Sequence, residues 1–500
     1  SKLETGSSTS TLSSRPESAF FADGVERPAG PFAPNTNSAL TPALSAFYPT
    51  DLLVTGSDIL FLWVARMIML GCHFMLDVHM PDGSPRTLAD AVPFRNVYIH
   101  ALVRDADRQK MSKTKGNVID PIEIVQKYGT DAVRFTLASQ ASPGTDIAFS
   151  EARTEGNRAF ANKIWNAARF LQMQIERGRE AGYKITLAAP TFLSVIPEGE
   201  LLSSALPTLS APTLPVDTPL ETRWIFSRLS AVSAEVERAL AGFRFDEAAS
   251  AVYQFFWGEF CDWYLELVKL RLDFNIEKND VTALTLNALV SVFEAALRLL
   301  SPFMPFLTEE LWHALYASVG TETPAKSIAL TRFPLPADFP ADAASVAAMT
   351  VLQELIVTVR GLRKDLGVPE KEAAPVQIFA SNRISALADA NSAMFARLAR
   401  VSAVELVGQA PTGNNARATS NFDVAVIYER QIDVAAERER LEKDLAKFDN
   451  GLAAAERQLS NEGFVAKAPP HIIEGLKKQY AETTALKEKT LAALATLPPA

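Results

Sequence analysis

The sequence predicts a parallel α/β sheet that hands over to an α-helical bundle, followed by a small α/β module and a helical hairpin. Three patterns carry that prediction. Two short apolar runs, Asp51–Thr55 and Val97–Ala101, read as buried strands on either side of a helix-length segment from Ile59 to Leu76. Strand, helix, strand is the order of a parallel sheet. The segments 221–241, 245–273, 280–300 and 305–318 keep apolar residues at helical spacing, which suits a bundle. In the tail, Leu441, Leu445, Phe448, Leu452, Ala455 and Leu459 alternate four and three apart, an a/d seam.

Taken in order, residues 1–45 are rich in Ser, Thr, Pro, Gly and Asn and read as a disordered or atypical leader. The sheet region covers 46–150. Thr55, Gly56, Ser57 and Asp58 form a polar cap before the apolar segment, with Asp58 a candidate helix N-cap. The helical body covers 151–345, interrupted by a Pro-rich connection over 186–219. Residues 346–432 hold short strands at Val376–Ala380, Ala403–Val407 and Phe422–Tyr428 beside one or two helices. Residues 433–500 hold two helices broken near Pro469 and Pro470, an antiparallel coiled-coil hairpin.

Composition sets limits. The chain has 500 residues, 48% apolar and 21% charged, which is room for about three well-cored domains. A net charge of -9 argues against a generally basic nucleic-acid coat, although local patches decide binding. Two cysteines, Cys72 and Cys261, exclude a disulfide framework and a four-cysteine zinc ribbon, and fit a reducing cytoplasm. Residues 1–20 carry no apolar h-region. Ile59–Leu76 is long enough to weigh as a membrane span. Arg66 near its middle would cost roughly 2.5–3.5 kcal/mol there, so a buried soluble helix is expected.

The strongest chemical signal is Lys110-Met111-Ser112-Lys113-Thr114-Lys115-Gly116-Asn117. Between Arg95 and Lys115 six basic residues stand against two acidic ones. Such a loop holds a polyphosphate by charge and hydroxyl contacts. Gly116 permits a turn with positive φ. Asp120 as N-cap, Pro121 at N1 and Glu123 at N3 predict a capping box on the helix that follows, which ends at Gly129. Taken alone, the charges read more readily as a solvated surface run.

The full string resembles the signature loop of class I aminoacyl-tRNA synthetases, with Thr114 where the family has Ser. The likeness extends through Phe47-Tyr48-Pro49-Thr50, Leu53-Val54-Thr55-Gly56-Ser57-Asp58-Ile59, Phe61-Leu62-Trp63-Val64-Ala65-Arg66-Met67, Leu102-Val103-Arg104-Asp105, Asn162-Lys163-Ile164-Trp165-Asn166 and Phe464-Val465-Ala466-Lys467-Ala468-Pro469. Over residues 46–500 the chain resembles valyl-tRNA synthetases. Leucyl and isoleucyl enzymes share the general plan. Ile59, where the isoleucyl type has Gln, and the C-terminal hairpin favour valyl.

The resemblance implies a partial Rossmann-like catalytic sheet, a helical anticodon-binding domain and a tRNA-binding hairpin. It implies a valine–tRNA ligase reaction in the cytoplasm: valine and ATP, with Mg²⁺ accompanying the ATP, give valyl-adenylate, and the valyl group passes to valine tRNA. Lys110, Ser112 and Lys113 would be catalytic. Gly56, Asp58, His100, Val103 and Lys113 would bind ATP, Trp63 would face the amino-acid pocket, and Lys163 and Arg169 would touch tRNA. From their residue types alone, Trp63 reads as core and His100 as a structural strand residue. Trp224, Trp257, Trp263 and Trp312 are assigned to core packing. No protein metal site, no membrane contact and a monomer are expected.

One departure is large. The family carries a His-x-Gly-His element, and none of the five histidines, His73, His79, His100, His313 and His471, lies in one. The expectation is a chain lacking the N-terminal half of the catalytic site, inactive alone and completed by a separate N-terminal chain or by a longer gene product. The competing expectation is a tRNA-binding module without catalysis.

Overall fold

The computed structural model describes residues 44, 47–187, 214–215, 217–275, 277–428, 434–460 and 470–496. The leader, most of the Pro-rich connection and the Phe464–Pro469 motif lie outside them. The fold divides into two compact units. One comprises residues up to 127 with 136–154 and 239–247, and the other takes the rest.

In the first unit, strand β1 (Thr50–Gly56) pairs in parallel with β2 (Phe94–His100), from Thr50 opposite Phe94 to Gly56 opposite His100. The parallel pairing follows the expectation; the burial does not. β2 is exposed along most of its length, and Val54 on β1 is 56% exposed. The apolar segment after β1 forms a π turn over Leu60–Val64 and helix α1 over Ala65–Met75. It too was expected to be buried, yet Phe61 is 87% exposed and Met69 67%. Among the described residues the sheet beside the helix has two strands, which leaves one flank of the helix uncovered by them. Ile59, not Asp58, occupies the N-cap position, with no side-chain cap bond.

A short helix α2 (Leu88–Ala91) precedes β2. Its capping box is complete: Thr87 Oγ1 accepts from the Asp90 amide at 3.3 Å, and Asp90 accepts from the Thr87 amide at 3.2 Å. Tyr98 of β2 packs against the rings of Phe243 and Phe245, at 5.6 and 5.3 Å between centroids. A second parallel pair joins β3 (Val103–Arg104) to β4 (Ile147–Ala148). Arg104 is ion-paired with Asp146 beside it.

Helix α3 (Pro121–Tyr128) begins as expected, with the Ile122 amide donating to Asp120 Oδ1 at 2.8 Å. Glu123 makes no reciprocal bond, so the predicted capping box is half present. Gly129 follows with φ +89°, a left-handed conformation that stops the helix at low cost. Helix α4 (Thr130–Ala138) comes next.

The second unit is built on long helices: α5 (Glu151–Glu180), α6 (Leu220–Ala241), α7 (Phe245–Tyr253), α8 (Leu265–Val268), α9 (Asp280–Leu300) and α10 (Pro305–Val319). The expected helix 245–273 is interrupted by a π-helical stretch from Gln254 to Tyr264. Phe160, Phe256, Phe260, Phe293 and Trp312 are fully buried, each contributing about 1.5–3 kcal/mol by burial. α9 is long and apolar enough to cross a membrane, but most of it is packed inside the bundle. Asp131 of α4 caps α10: its carboxylate accepts from the Leu307 amide at 2.6 Å. Trp224 and Trp312 are core, as expected. Trp257 and Trp263 are only half-buried, a correction explained by the cations stacked on them: Lys163 on Trp257 and Arg360 on Trp263.

Helix α11 (Ala343–Asp365) leads into a four-stranded sheet of β5 (Ala374–Ala380), β6 (Val401–Leu406), β7 (Ala416–Ala418) and β8 (Phe422–Val426), ordered β6-β5-β8-β7. β5 and β6 run parallel, and the other pairs are antiparallel. Helices α12 (Asn382–Ala390) and α13 (Ser392–Ala399) form the crossover between β5 and β6. β7 had no distinct sequence signal.

The tail folds into two long helices, α14 (Val434–Leu459) and α15 (Pro470–Thr496). On α14, Leu441 and Ala455 are buried and Leu445, Phe448, Leu452 and Leu459 half-buried, the positions of the seam. Lys487 reaches Asp449 across the pair at 2.6 Å.

Candidate functional site

Two parallel strands end together at Gly56 and His100, and parallel α/β sheets bind ligands outside the carboxyl ends of their strands. A Cβ built on Gly56 would lie 2.8 Å from Asp58 Oδ1 and 3.5 Å from His100 Cε1. The Asp58 carboxylate and the His100 ring thus both lie close beside the bare backbone of Gly56. His100 Nδ1 lies 3.0 Å from the Ala101 carbonyl oxygen, which fixes its ring. The Asp58 carboxylate can accept hydrogen bonds from a hydroxyl placed beside it.

Trp63 stands one turn further on, its amide donating to the Ile59 carbonyl at 2.9 Å. Its ring is 55% exposed and carries the Arg66 guanidinium at 5.7 Å. A core assignment from residue type alone is therefore set aside. Val103 lies apart from these residues, in the β3–β4 pair.

The basic loop is held from its base. Asn117 Nδ2 donates to Asp105 Oδ2 at 2.8 Å, and the Gln109 amide donates to Asp105 Oδ1 at 2.7 Å. Those bonds, Asn117 first, hold the Asp105 carboxyl below the usual carboxylate range. Asn117 Oδ1 accepts from the Ser112 amide at 2.9 Å. Ser112 Oγ then caps a 3₁₀ turn over Lys113–Lys115 by accepting from the Lys115 amide at 3.3 Å. Gly116 closes the turn at φ +68°. Lys115 Nζ donates to Gln109 Oε1 at 3.4 Å, whereas Lys110 and Lys113 have no ion-pair partner among the described residues. Two ammonium groups without an ion-pair partner among the described residues thus stand on one braced loop.

On α5, Lys163 and Arg169 have different surroundings. Lys163 Nζ is ion-paired with Asp262 at 2.9 Å and lies 5.2 Å from the Trp257 ring centroid. Partial burial works against its charge, and the bond to Asp262 outweighs that, so its pKa lies above the usual lysine value. Arg169 is exposed and lines a groove of about 620 Å³ with Met173, Glu176, Arg179 and Ser318. Trp165, 44% exposed, lies one turn before Arg169 on the same face.

Three family models match this chain. The model for class I tRNA synthetases (I, L, M and V) matches residues 31–150, and that for the anticodon-binding domain of tRNA ligase matches 222–378. The valyl tRNA synthetase tRNA binding arm matches 433–498. The chain is 38% identical over 451 residues to a valine–tRNA ligase of Solibacter usitatus, covering 90% of this chain and 45% of the relative. It is 40% identical over 460 residues to the Geobacter sulfurreducens valine–tRNA ligase, covering 91% and 46%.

Over about nine-tenths of its length this chain is similar to valine–tRNA ligases.

It spans about half the length of the curated relatives it matches. Among solved structures, the methionyl-tRNA synthetase of Mycobacterium tuberculosis bound by methionyl-adenylate aligns with 17% identity and a TM-score of 0.37, over 60% of this chain and 52% of that one.

Within this chain, the residues that the sequence gave no role are Asp105 and Asn117, which hold the loop, and Asp262, which engages Lys163. Asp105 and Asn117 flank the basic run twelve apart, a signal that was present. Asp262 lies 99 residues from Lys163, and nothing local announces it.

Proposed function

We propose that this chain contributes to a valine–tRNA ligase: valine is activated with ATP, and the valyl group passes to valine tRNA. The observation that carries the proposal is Gly56, Asp58 and His100 meeting at the ends of two parallel strands, in a chain that also presents unpaired Lys110 and Lys113.

In the first step a valine carboxylate oxygen bonds to the α-phosphorus of ATP, and pyrophosphate leaves with the electrons of the broken P–O bond. Asp58 would accept hydrogen bonds from the ribose hydroxyls, and Gly56 would let the sugar approach the backbone. Backbone groups from His100 to Val103 would meet adenine, and Trp63 would border the amino-acid pocket. Lys110 and Lys113, on the turn capped by Ser112, would neutralise charge that grows on pyrophosphate as the bond breaks. Among the described residues no group of three or more His, Cys, Asp or Glu side chains could hold a metal. Mg²⁺ would accompany the ATP phosphates. In the second step the tRNA 3′-terminal hydroxyl attacks the adenylate carbonyl and AMP leaves.

The helical body would bind tRNA through Arg169 and its neighbours. α14 and α15 would form an antiparallel coiled-coil hairpin along the tRNA backbone. A cytoplasmic monomer suits this reading. A tRNA-binding module without catalysis is the second reading, supported by the matches to the anticodon-binding domain over 222–378 and to the tRNA binding arm over 433–498.

Valine-dependent ATP–pyrophosphate exchange tests the proposal. The chain alone should be silent, and the site completed by the missing half of a relative should exchange with valine well above leucine or isoleucine. In that assembly Lys113→Ala should lower the rate by roughly 10²–10³-fold, the scale of one lost transition-state contact, with little change in valine affinity. An assembled protein that binds valine tRNA but gives no exchange would establish the second reading instead.

A further inference from the structure

Among the described residues, Arg108, Phe243 and Arg400 carry a positive φ without being glycine. Phe243 uses its side chain, which packs on Tyr98, and Arg400 ends α13. Arg108 stands apart from both. Its amide donates to the Asp105 carbonyl at 3.0 Å, and the Asp105 amide donates to the Gln109 carbonyl at 3.1 Å. Those bonds close a hairpin-type loop from Ala106 to Arg108, whose last residue is left-handed, a place that glycine fills without strain. Arg108 fills it at φ +61°. Its side chain is exposed and makes no hydrogen bond, ion pair or ring contact among the described residues. The backbone is thus strained around a side chain that has no work inside the fold, and strain of this kind collects where ligands are held.

This small loop is tied to the turn over Lys113–Lys115. The Asp105 carboxylate accepts from the Gln109 amide at 2.7 Å and from Asn117 Nδ2 at 2.8 Å. Gln109 Oε1 in turn accepts from Lys115 Nζ at 3.4 Å. Arg108, Lys110 and Lys113 are therefore three cations on one braced loop, and none of them has an ion-pair partner among the described residues. The neighbouring carboxylates do not neutralise them. Asp105 is taken up by the brace, and Asp107 forms no ion pair among the described residues.

We propose that Arg108 is a binding residue for a polyphosphate and acts with Lys110 and Lys113 on the phosphates of a nucleoside triphosphate. This rests on the reading above, which brings ATP to the loop, and it adds a residue outside the Lys-Met-Ser-Lys run. Two arguments select this ligand. Three unpaired cations on one loop suit the several charges of a triphosphate, whereas an RNA phosphodiester carries one charge at a time. The planar guanidinium also donates to two oxygens at once, which neighbouring phosphates supply.

Calorimetric titration of the full chain with inorganic tripolyphosphate, and separately with valine tRNA, tests this. The parent should bind tripolyphosphate, and more weakly as salt rises. Arg108→Gly should weaken that binding by roughly fivefold or more, the scale of one charge-assisted contact. Its thermal transition should lie at or above the parent's, because glycine relieves the turn. Arg108→Asn, uncharged and also tolerant of this conformation, should lose the same affinity. A structural residue would behave otherwise, since its loss lowers the transition. Equal tripolyphosphate affinity in the parent and Arg108→Gly would overturn the proposal. So would a parent that does not bind tripolyphosphate, or a lowered transition in Arg108→Gly. Weaker tRNA binding with tripolyphosphate binding unchanged would assign Arg108 to RNA and overturn it as well. The titration contains no valine and no reaction. Tripolyphosphate binding that depends on Arg108, in a chain whose completed assembly gives no pyrophosphate exchange, therefore supports this site and overturns the activity.

Discussion

Asn117 donates its side-chain amide to Asp105 at 2.8 Å, and that bond ties together the two ends of the loop that carries Lys110 and Lys113. The lysines lie on a braced turn, with Ser112 bonded to the same asparagine. In the proposed reaction such a brace would hold the two ammonium groups in place before charge develops and leave little reorganisation to the step itself.

If the brace holds the turn, Asn117→Ala should open it. Trypsin cleaves after Arg108, Lys110, Lys113 and Lys115, so cleavage within this loop should rise by roughly two- to tenfold, the equilibrium weight of one net hydrogen bond. Cleavage elsewhere should not change. An unchanged digestion pattern would show that Asn117 does not order the loop.

The bundle holds a buried ion pair. Arg298 and Glu294 meet at 2.9 Å with their side chains 4% exposed, and Trp312 Nε1 donates to the same carboxylate at 3.0 Å. Arg298→Met should cost about 3–5 kcal/mol, because the carboxylate stays buried without its counter-charge. The double variant Glu294→Leu, Arg298→Met should cost much less. Urea unfolding of the three proteins measures this, and equal losses in the single and double variants would refute it.

Cys261 gives a pH dependence. Burial pushes its thiol up to about 12, with the Lys163 charge pulling the other way. The folded value lies above the unfolded one of about 8.5. Its contribution to stability is thus complete below about pH 8.5 and lost as pH rises from there toward the folded value. Between pH 8 and 10 the chain should lose up to about 2 kcal/mol more stability than Cys261→Ala. Matching alkaline losses in the two proteins would show that the thiol ionises freely.

What the sequence revealed depended on distance along the chain. The positive-φ turn at Gly116 is a local pattern, and it was legible. Helix ends were legible where one residue decides them, as at Gly129. Burial was not. Phe61 and Met69 read as core because an apolar run looks the same whether or not anything covers it. The half-buried state of Trp257 and the engagement of Lys163 were hidden for another reason, since Asp262 comes from a distant helix. The meeting of Gly56 with His100 follows from parallel register, which the strand pattern implied without fixing its alignment.

The most direct measurement is tRNA binding by the 500-residue chain, read by filter retention at two salt concentrations with valine tRNA and one other tRNA. The chain should prefer valine tRNA, and affinity should fall as salt rises, because phosphate contacts release counterions. Deleting residues 433–500 should weaken both tRNAs alike, as loss of backbone contacts does. Arg169→Ala should reduce the preference. Lys163→Ala, whose charge is already engaged by Asp262, should act mainly on stability, by less than about 1 kcal/mol for an exposed pair. Preference for valine tRNA that weakens with salt is the predicted result. Equal binding of both tRNAs that ignores salt, or no binding, would contradict the account.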